Sequence, residues 1–348
     1  MTPVRLAPLL TVAATALFGF AGVPAPPAAA AAPAPVAPAQ AEEPWRLTGD
    51  LAAHDPALVA GAEGEKWYVF GTGEPGTGGG NIQIRSSPDG KDWTYEGTVW
   101  DEIPAWITEA VPGVKNIWAP EIYEGNGMYY LYYAGSTWGH NRSVIGLATN
   151  KTLDPSDPQY EWVDRGEVFR TEPSDDFNAI DPGVIEDESG TPWMAFGSYW
   201  SGIRMVQLDW PSGKVADPDV EPLHIADRKA APNSIEAPYI VENDGWYYLF
   251  TSWGQCCQGV DSDYKIMVGR SRDVTGPYAD REGRKLLEGG GTTLLTKTGD
   301  RVGPGGQSVS DEIIAYHYYD ASADGAPRLA LQPVVWGEDG WPELANRE

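Results

Sequence analysis

The chain has 348 residues, of which 50 are acidic and 24 basic, for a formal charge of −26. So acidic a surface repels nucleic acid and anionic lipid and weighs against both as partners. The 15 Trp and 17 Tyr, against only 7 Phe, offer flat apolar rings with polar tips, which suit sugar C–H faces but also serve β-protein cores.

The chain begins with a pattern of export. Arg5 gives a short positive start, residues 6–23 are apolar, and an Ala/Pro tract follows at 24–38. Small residues at Ala39-Gln40-Ala41 offer a cleavage point. Residues 1–41 are therefore predicted to be a secretory signal peptide and an Ala/Pro-rich tail, and the protein to be secreted and extracellular. No later segment approaches the roughly 20 apolar residues of a membrane span. Residues 42–348 are predicted to form a single domain.

That domain repeats itself. Five segments each carry an apolar strand, a turn with Gly or acidic residues and an aromatic strand: "HDPALVAGAEGEKWYVFGTG", "WAPEIYEGNGMYYLYYAGS", "DPGVIEDESGTPWMAFGSYW", "EAPYIVENDGWYYLFTSW" and the more degenerate "GGQSVSDEIIAYHYYD". A third strand begins in each at Ile82, Val144, Ile203, Ile266 and Leu329, a period of about 60 residues. Two-residue alternation and turn dipeptides such as Asp89-Gly90 and Asp244-Gly245 predict antiparallel strands. No sustained helical period is present. The prediction is an all-β fold, a five-bladed β-propeller of four-stranded antiparallel blades around a central channel.

In a propeller the first strand of every blade lines the channel. The leading residues of those strands fall at 55, 119, 181, 237 and 306. Asp55 and Asp181 occupy two of them, and Glu236 stands one residue earlier in its blade. One Asp-Pro is explained by turn chemistry alone. Three acids at repeat-equivalent places, with no basic partner in sight, repel and shift one another's pKa. Paired carboxylates among aromatic rings point to glycoside hydrolysis, in which one acid is protonated and another ionised. A non-catalytic sugar-binding propeller would need the rings but not the three acids. Sequence neighbours of the acids are candidate substrate contacts: His54, Trp118, Asn178, Ser198, Tyr199, Trp200 and Trp253.

The two cysteines, Cys256 and Cys257, are adjacent. Neighbouring Cα atoms lie about 3.8 Å apart, closer than an ordinary disulfide span. They form either a vicinal disulfide or two buried thiols, and the sequence leaves both open.

The motifs "HDP" at 54–56, "NIWAPEI" at 116–122, "NAIDP" at 178–182, "GSYWSGI" at 197–203, "IEAPYI" and "YYLFTSWGQCCQGVDSDYKIMVGRS" occur in a fixed order. In them the chain resembles the family 43 glycoside hydrolases, and among these the secreted endo-1,5-α-L-arabinanases. The resemblance implies an inverting hydrolase of α-1,5-L-arabinofuranosidic bonds in arabinan, working as a monomer and needing no cofactor for its chemistry. It implies that Asp55 is the general base, that Glu236 is the general acid, and that Asp181 raises the pKa of Glu236 and orients it. Exo-acting α-L-arabinofuranosidase or β-xylosidase activity of the same family stays open. Members often carry a hydrated ion beside a His in a "GPGH" element. Here the element reads "GPGGQ" at 303–307, which puts a His-anchored calcium in doubt and leaves a hydrated cation near Gln307 and His317 as an expectation.

Overall fold

A computed structural model describes residues 44–345; the predicted signal peptide and tail at 1–41 lie outside them. Five antiparallel sheets form the five blades of a propeller. Blade one comprises β1 (Thr48–Gly49), β2 (Ala57–Val59), β3 (Trp67–Gly71), β4 (Gln83–Ser87) and β5 (Asp92–Thr98). Blade two is β6 (Ile117–Gly125), β7 (Met128–Gly135), β8 (Ser143–Asn150) and β9 (Val163–Thr171). Blade three is β10 (Gly183–Glu186), β11 (Pro192–Phe196), β12 (Ile203–Asp209), β13 (Lys214–Val215) and β14 (Leu223–Ala226). Blade four is β15 (Ile235–Asn243), β16 (Trp246–Trp253), β17 (Lys265–Ser271) and β18 (Thr292–Leu295), and blade five is β19 (Arg301–Ser310), β20 (Ile313–Asp320), β21 (Ala326–Trp336) and β22 (Pro342–Leu344).

Each blade is a meander with small outer variations. The two-residue β1 adds to the outside of blade one in parallel with β5, and both β13 and β14 pair with β12 in blade three. Tight turns set the register. Asn126-Gly127 and Asp244-Gly245 each place both residues at positive φ, the geometry whose twist matches a two-residue hairpin.

The apolar faces of neighbouring blades interlock. Phe70, Ile84, Leu131, Tyr133 and Trp162 pack between blades one and two, and Phe250, Ile266, Tyr316 and Trp341 between blades four and five. Each such side chain contributes about 1.5–3 kcal/mol by leaving water. The ring closes between blades five and one through hydroxyls. Ser308 Oγ accepts from Leu58 N and donates to Pro56 O, and Ser310 Oγ accepts from Ala60 N.

One short α-helix, α1 (Ala105–Ala110), departs from the all-strand expectation. Six residues are under two turns, too few to register as a period. Its Ile107 is fully buried against blade two.

Candidate active site

The five leading positions share one backbone feature. Asp55 (φ 49°), Ala119 (φ 42°), Asp181 (φ 57°), Ala237 (φ 50°) and Gly306 (φ 59°) are all left-handed. Four of them are not glycine, and such residues cost energy that clusters at functional sites. The repeat places Glu236 one residue before the left-handed position of its blade, level with His54 and Trp118 rather than with the two aspartates. Asp55, Ala119, Asp181, Ala237 and Gly306 together line one cavity of about 30 Å³ on the channel axis.

Asp55 is held ionised. Its Oδ2 accepts from His54 Nδ1 at 2.8 Å and from the Thr72 hydroxyl at 2.6 Å. Burial works against the charge, but His54, His317 and Thr72 outweigh it and hold the carboxyl well below the usual range. Oδ1 is left uncovered, with His317 Nδ1 at 3.6 Å. A Cβ at Gly306 would stand 2.4 Å from that oxygen, so only glycine leaves it open. Thr72 also accepts from Ala119 N, tying Asp55 to blade two.

Glu236 is held the other way. It is 7% exposed. Its Oε2 accepts from Ser198 Oγ and its Oε1 from Tyr264 Oη, both at 2.6 Å. Burial raises its pKa, and the charge of Asp55 adds to this, while the two hydroxyl bonds and His54 work to lower it. Burial, then the charges of Glu236 and Asp55, raise Asp181 well above the ordinary range. Asp181 Oδ2 accepts from Ala237 N at 3.1 Å, which fixes it beside the residue following Glu236. Asp181 and Glu236, buried with no cation between them, hold a proton between them that Asp55 does not. Both hydroxyls on Glu236 can donate or accept, so either of its oxygens can carry that proton.

The other predicted residues divide. Ser198 bonds Glu236 directly, and its backbone pairs with that of Glu236 as an isolated bridge. Tyr199 and Trp200, at φ 55° and 37°, form the turn between β11 and β12, where Trp200 is 38% exposed. Trp118 is half-buried in β6. Asn178 is buried and accepts from Ser143 Oγ at 2.7 Å, a bond that braces blade two against blade three. Trp253 ends β16 with the Arg228 guanidinium over its ring at 5.5 Å. Thr72 and Tyr264 were not singled out by sequence. Each belongs to a motif quoted for the resemblance or a repeat, but neither is acidic nor next in sequence to one of the three candidate acids.

Cys256 and Cys257 are joined in a disulfide, which settles the alternative the sequence left open.

The residues near the axis do not fit a His-anchored cation. Gln307 is spent on blade four: its Oε1 accepts from Ser252 Oγ and its Nε2 donates to Ala237 O. His317 Nδ1 accepts from Asp55 N at 3.1 Å. Burial pushes the ring well below its ordinary pKa, so the ring is neutral and, with Nδ1 accepting, its proton sits on Nε2, which is buried without a hydrogen-bond partner among the described residues; in this tautomer neither nitrogen offers a lone pair to a metal. Glu121, also on the cavity wall, is buried and raised to about 8.

One carboxylate kept ionised, with two more that share a proton, on the axis of a propeller, is the machinery of a glycoside hydrolase. Residues 51–342 match the glycosyl hydrolases family 43. The chain belongs to that family. It is 40% identical over 308 residues to an extracellular endo-alpha-(1->5)-L-arabinanase of Bacillus subtilis, covering 88% of this chain and 91% of that protein. It is 38% identical over 309 residues to an extracellular exo-alpha-(1->5)-L-arabinofuranosidase of Cellvibrio japonicus, covering 85% and 87%. Among solved structures, the endo-arabinanase of Bacillus licheniformis superposes with a TM-score of 0.80 at 40% identity, covering 86% of this chain and 99% of that one.

Proposed function

We propose that the protein is a secreted, monomeric endo-arabinanase that hydrolyses internal α-1,5-L-arabinofuranosidic bonds with inversion. The observation that carries the mechanism is the opposed protonation of the carboxyls: Asp55 is pulled down and Asp181 and Glu236 are pushed up. In this reading Asp55 Oδ1 takes a proton from water as the water oxygen bonds the anomeric carbon. The glycosidic C–O bond breaks, and Glu236 delivers its proton to the departing oxygen. Asp181 keeps that proton on Glu236 until it is needed. The substrate class is supported by the relatives, and the acidic surface suits a neutral polysaccharide. Exo action is the second reading, favoured by the Cellvibrio relative.

The test is debranched arabinan followed by viscometry and product chromatography together. A fast fall in viscosity with a ladder of oligosaccharides supports endo action, and arabinose alone supports exo action. Proton NMR of the first-formed products reads the stereochemistry, and a retained anomer would end the single-displacement mechanism. Light scattering that gives the mass of one chain supports the monomer.

A further inference from the structure

Asp55 is the end of a chain of hydrogen bonds that starts on the far side of the ring. Asp55 Oδ2 bonds His54 Nδ1 at 2.8 Å. The other nitrogen of that ring, Nε2, bonds Tyr319 Oη at 2.8 Å. Tyr319 Oη in turn accepts from the backbone N of Cys257 at 2.7 Å. The donors and acceptors agree along the whole line. An ionised Asp55 can only accept, so His54 Nδ1 carries a proton. Nε2 of the neutral ring then accepts from the Tyr319 hydroxyl, whose oxygen still has a lone pair for the Cys257 amide. If the ring gains a second proton, the same Tyr319 oxygen becomes its acceptor. In either state Tyr319 fixes the imidazole plane.

The source of the amide is unusual. Cys257 is a non-glycine residue at φ 65°, and it is bonded to Cys256. A side chain costs energy in that left-handed region unless the surroundings impose it, and the bond between adjacent residues closes a ring around this peptide. The Cys257 sulfur lies 3.8 Å from His54 Nε2, so the loop also covers the imidazole from outside. On its other side His54 stacks on His317, with ring centroids 3.7 Å apart.

Building on the reading of Asp55 as general base, we infer that Tyr319 is a positioning residue for it, and that the Cys256–Cys257 disulfide holds Tyr319 in place through the Cys257 amide. Tyr319 touches neither water nor sugar in this scheme. Its hydroxyl locks His54, and His54 keeps Oδ2 of Asp55 occupied so that Oδ1 is the basic atom.

The test is a double-mutant cycle on the full-length secreted enzyme, using Tyr319→Phe, the pair Cys256→Ala/Cys257→Ala, and the three changes together. Tyr319→Phe lowers kcat about tenfold, the rate equivalent of about 1.4 kcal/mol, while KM stays within about twofold, because no substrate contact is lost. The cysteine pair gives a loss of similar size. The triple variant loses no more than the larger of the two, because both act through one line of bonds. Losses that multiply, or a fall in kcat/KM carried by KM, overturn the inference. Should the cysteine variant fail to fold, Tyr319→Phe keeps the test alive through the ¹⁵N resonances of His54, which shift when Nε2 loses its partner. Unchanged His54 resonances overturn the line of bonds whatever the kinetics. Shifted resonances with unchanged kcat uphold the bonds and overturn the positioning role, whereas an Asp55→Asn variant that keeps its activity would overturn the reading of Asp55 as base.

Discussion

Glu121 gives a prediction whose size follows from the structure. Its carboxyl is 2% exposed, the hydrogen bond it accepts from Val184 N is long at 3.3 Å, and that bond and one from the Ile122 backbone offset burial only in part. Burial raises it from 4.5 to about 8. Below pH 4.5 the group is neutral in both folded and unfolded chains and costs nothing. As pH rises above 4.5 the unfolded chain releases the proton and the folded chain keeps it, so stability is lost progressively until the folded group also ionises near pH 8. At about 1.4 kcal/mol for each tenfold difference in proton affinity, the loss totals about 5 kcal/mol. In Glu121→Gln the amide oxygen can still accept from Val184, and it does not titrate. The difference in unfolding free energy between variant and wild type should therefore widen in favour of the variant by about that amount between pH 4.5 and 8. Urea unfolding followed by tryptophan fluorescence at several pH values reads the difference directly. Contributions from Asp181 and Glu236 are common to both proteins and cancel. Stability curves that run parallel across this range would show that Glu121 is solvated or paired, and the reasoning would fail.

Three further outcomes are expected. Glu236→Gln lowers kcat on arabinan by about 10²–10⁴-fold and leaves oligosaccharide binding by calorimetry within a few-fold; an active variant removes Glu236 from the mechanism. Asp181→Asn takes a like charge from beside Glu236, so Glu236 loses its proton at lower pH and the alkaline limb of kcat/KM moves toward acid; an unmoved limb contradicts the coupling. Treatment with a strong chelator leaves the rate on arabinan unchanged, because both polar side-chain atoms of Gln307 are hydrogen-bonded and Nδ1 of His317 already accepts from Asp55 N; loss of activity restored by calcium would show that a cation is bound at the axis after all.

The architecture was legible because every blade repeats its turn chemistry and alternation at a steady interval. Asp55 and Asp181 were legible for the same reason, and Glu236 because its Pro aligned it to within one residue. That residue matters: it puts Glu236 in the register of His54, on a strand position ahead of the backbone reversal. Sequence could not show the reversal, because φ leaves no mark at Ala119 or Ala237. Thr72 and Tyr264 were missed for a different reason. They stand just after β3 and just before β17, and reach acids 17 and 28 positions away only once the strands of their own blade have folded into a sheet. A hydroxyl that bonds an acid so far along the chain has no local signature. Asn178 and Trp253 were candidates by proximity in sequence to an acid or a motif, and the partners the structure gives them, Ser143 across a blade boundary and the Arg228 guanidinium over the indole, could not be read from that proximity.

The closure of the ring has a consequence for how activity arises. Asp55 is among the first folded residues to be synthesised, yet His317 and Tyr319, which face it and its neighbour His54, come some 260 positions later. The seam that joins β2 of blade one to β19 of blade five, at Ser308 and Ser310, lies a few residues further along the same two strands. A nascent or truncated chain lacking blade five has the carboxylate but not its supports. The surroundings of Asp55 are thus complete only when blade five has closed on blade one, so a propeller without its fifth blade lacks part of its own site.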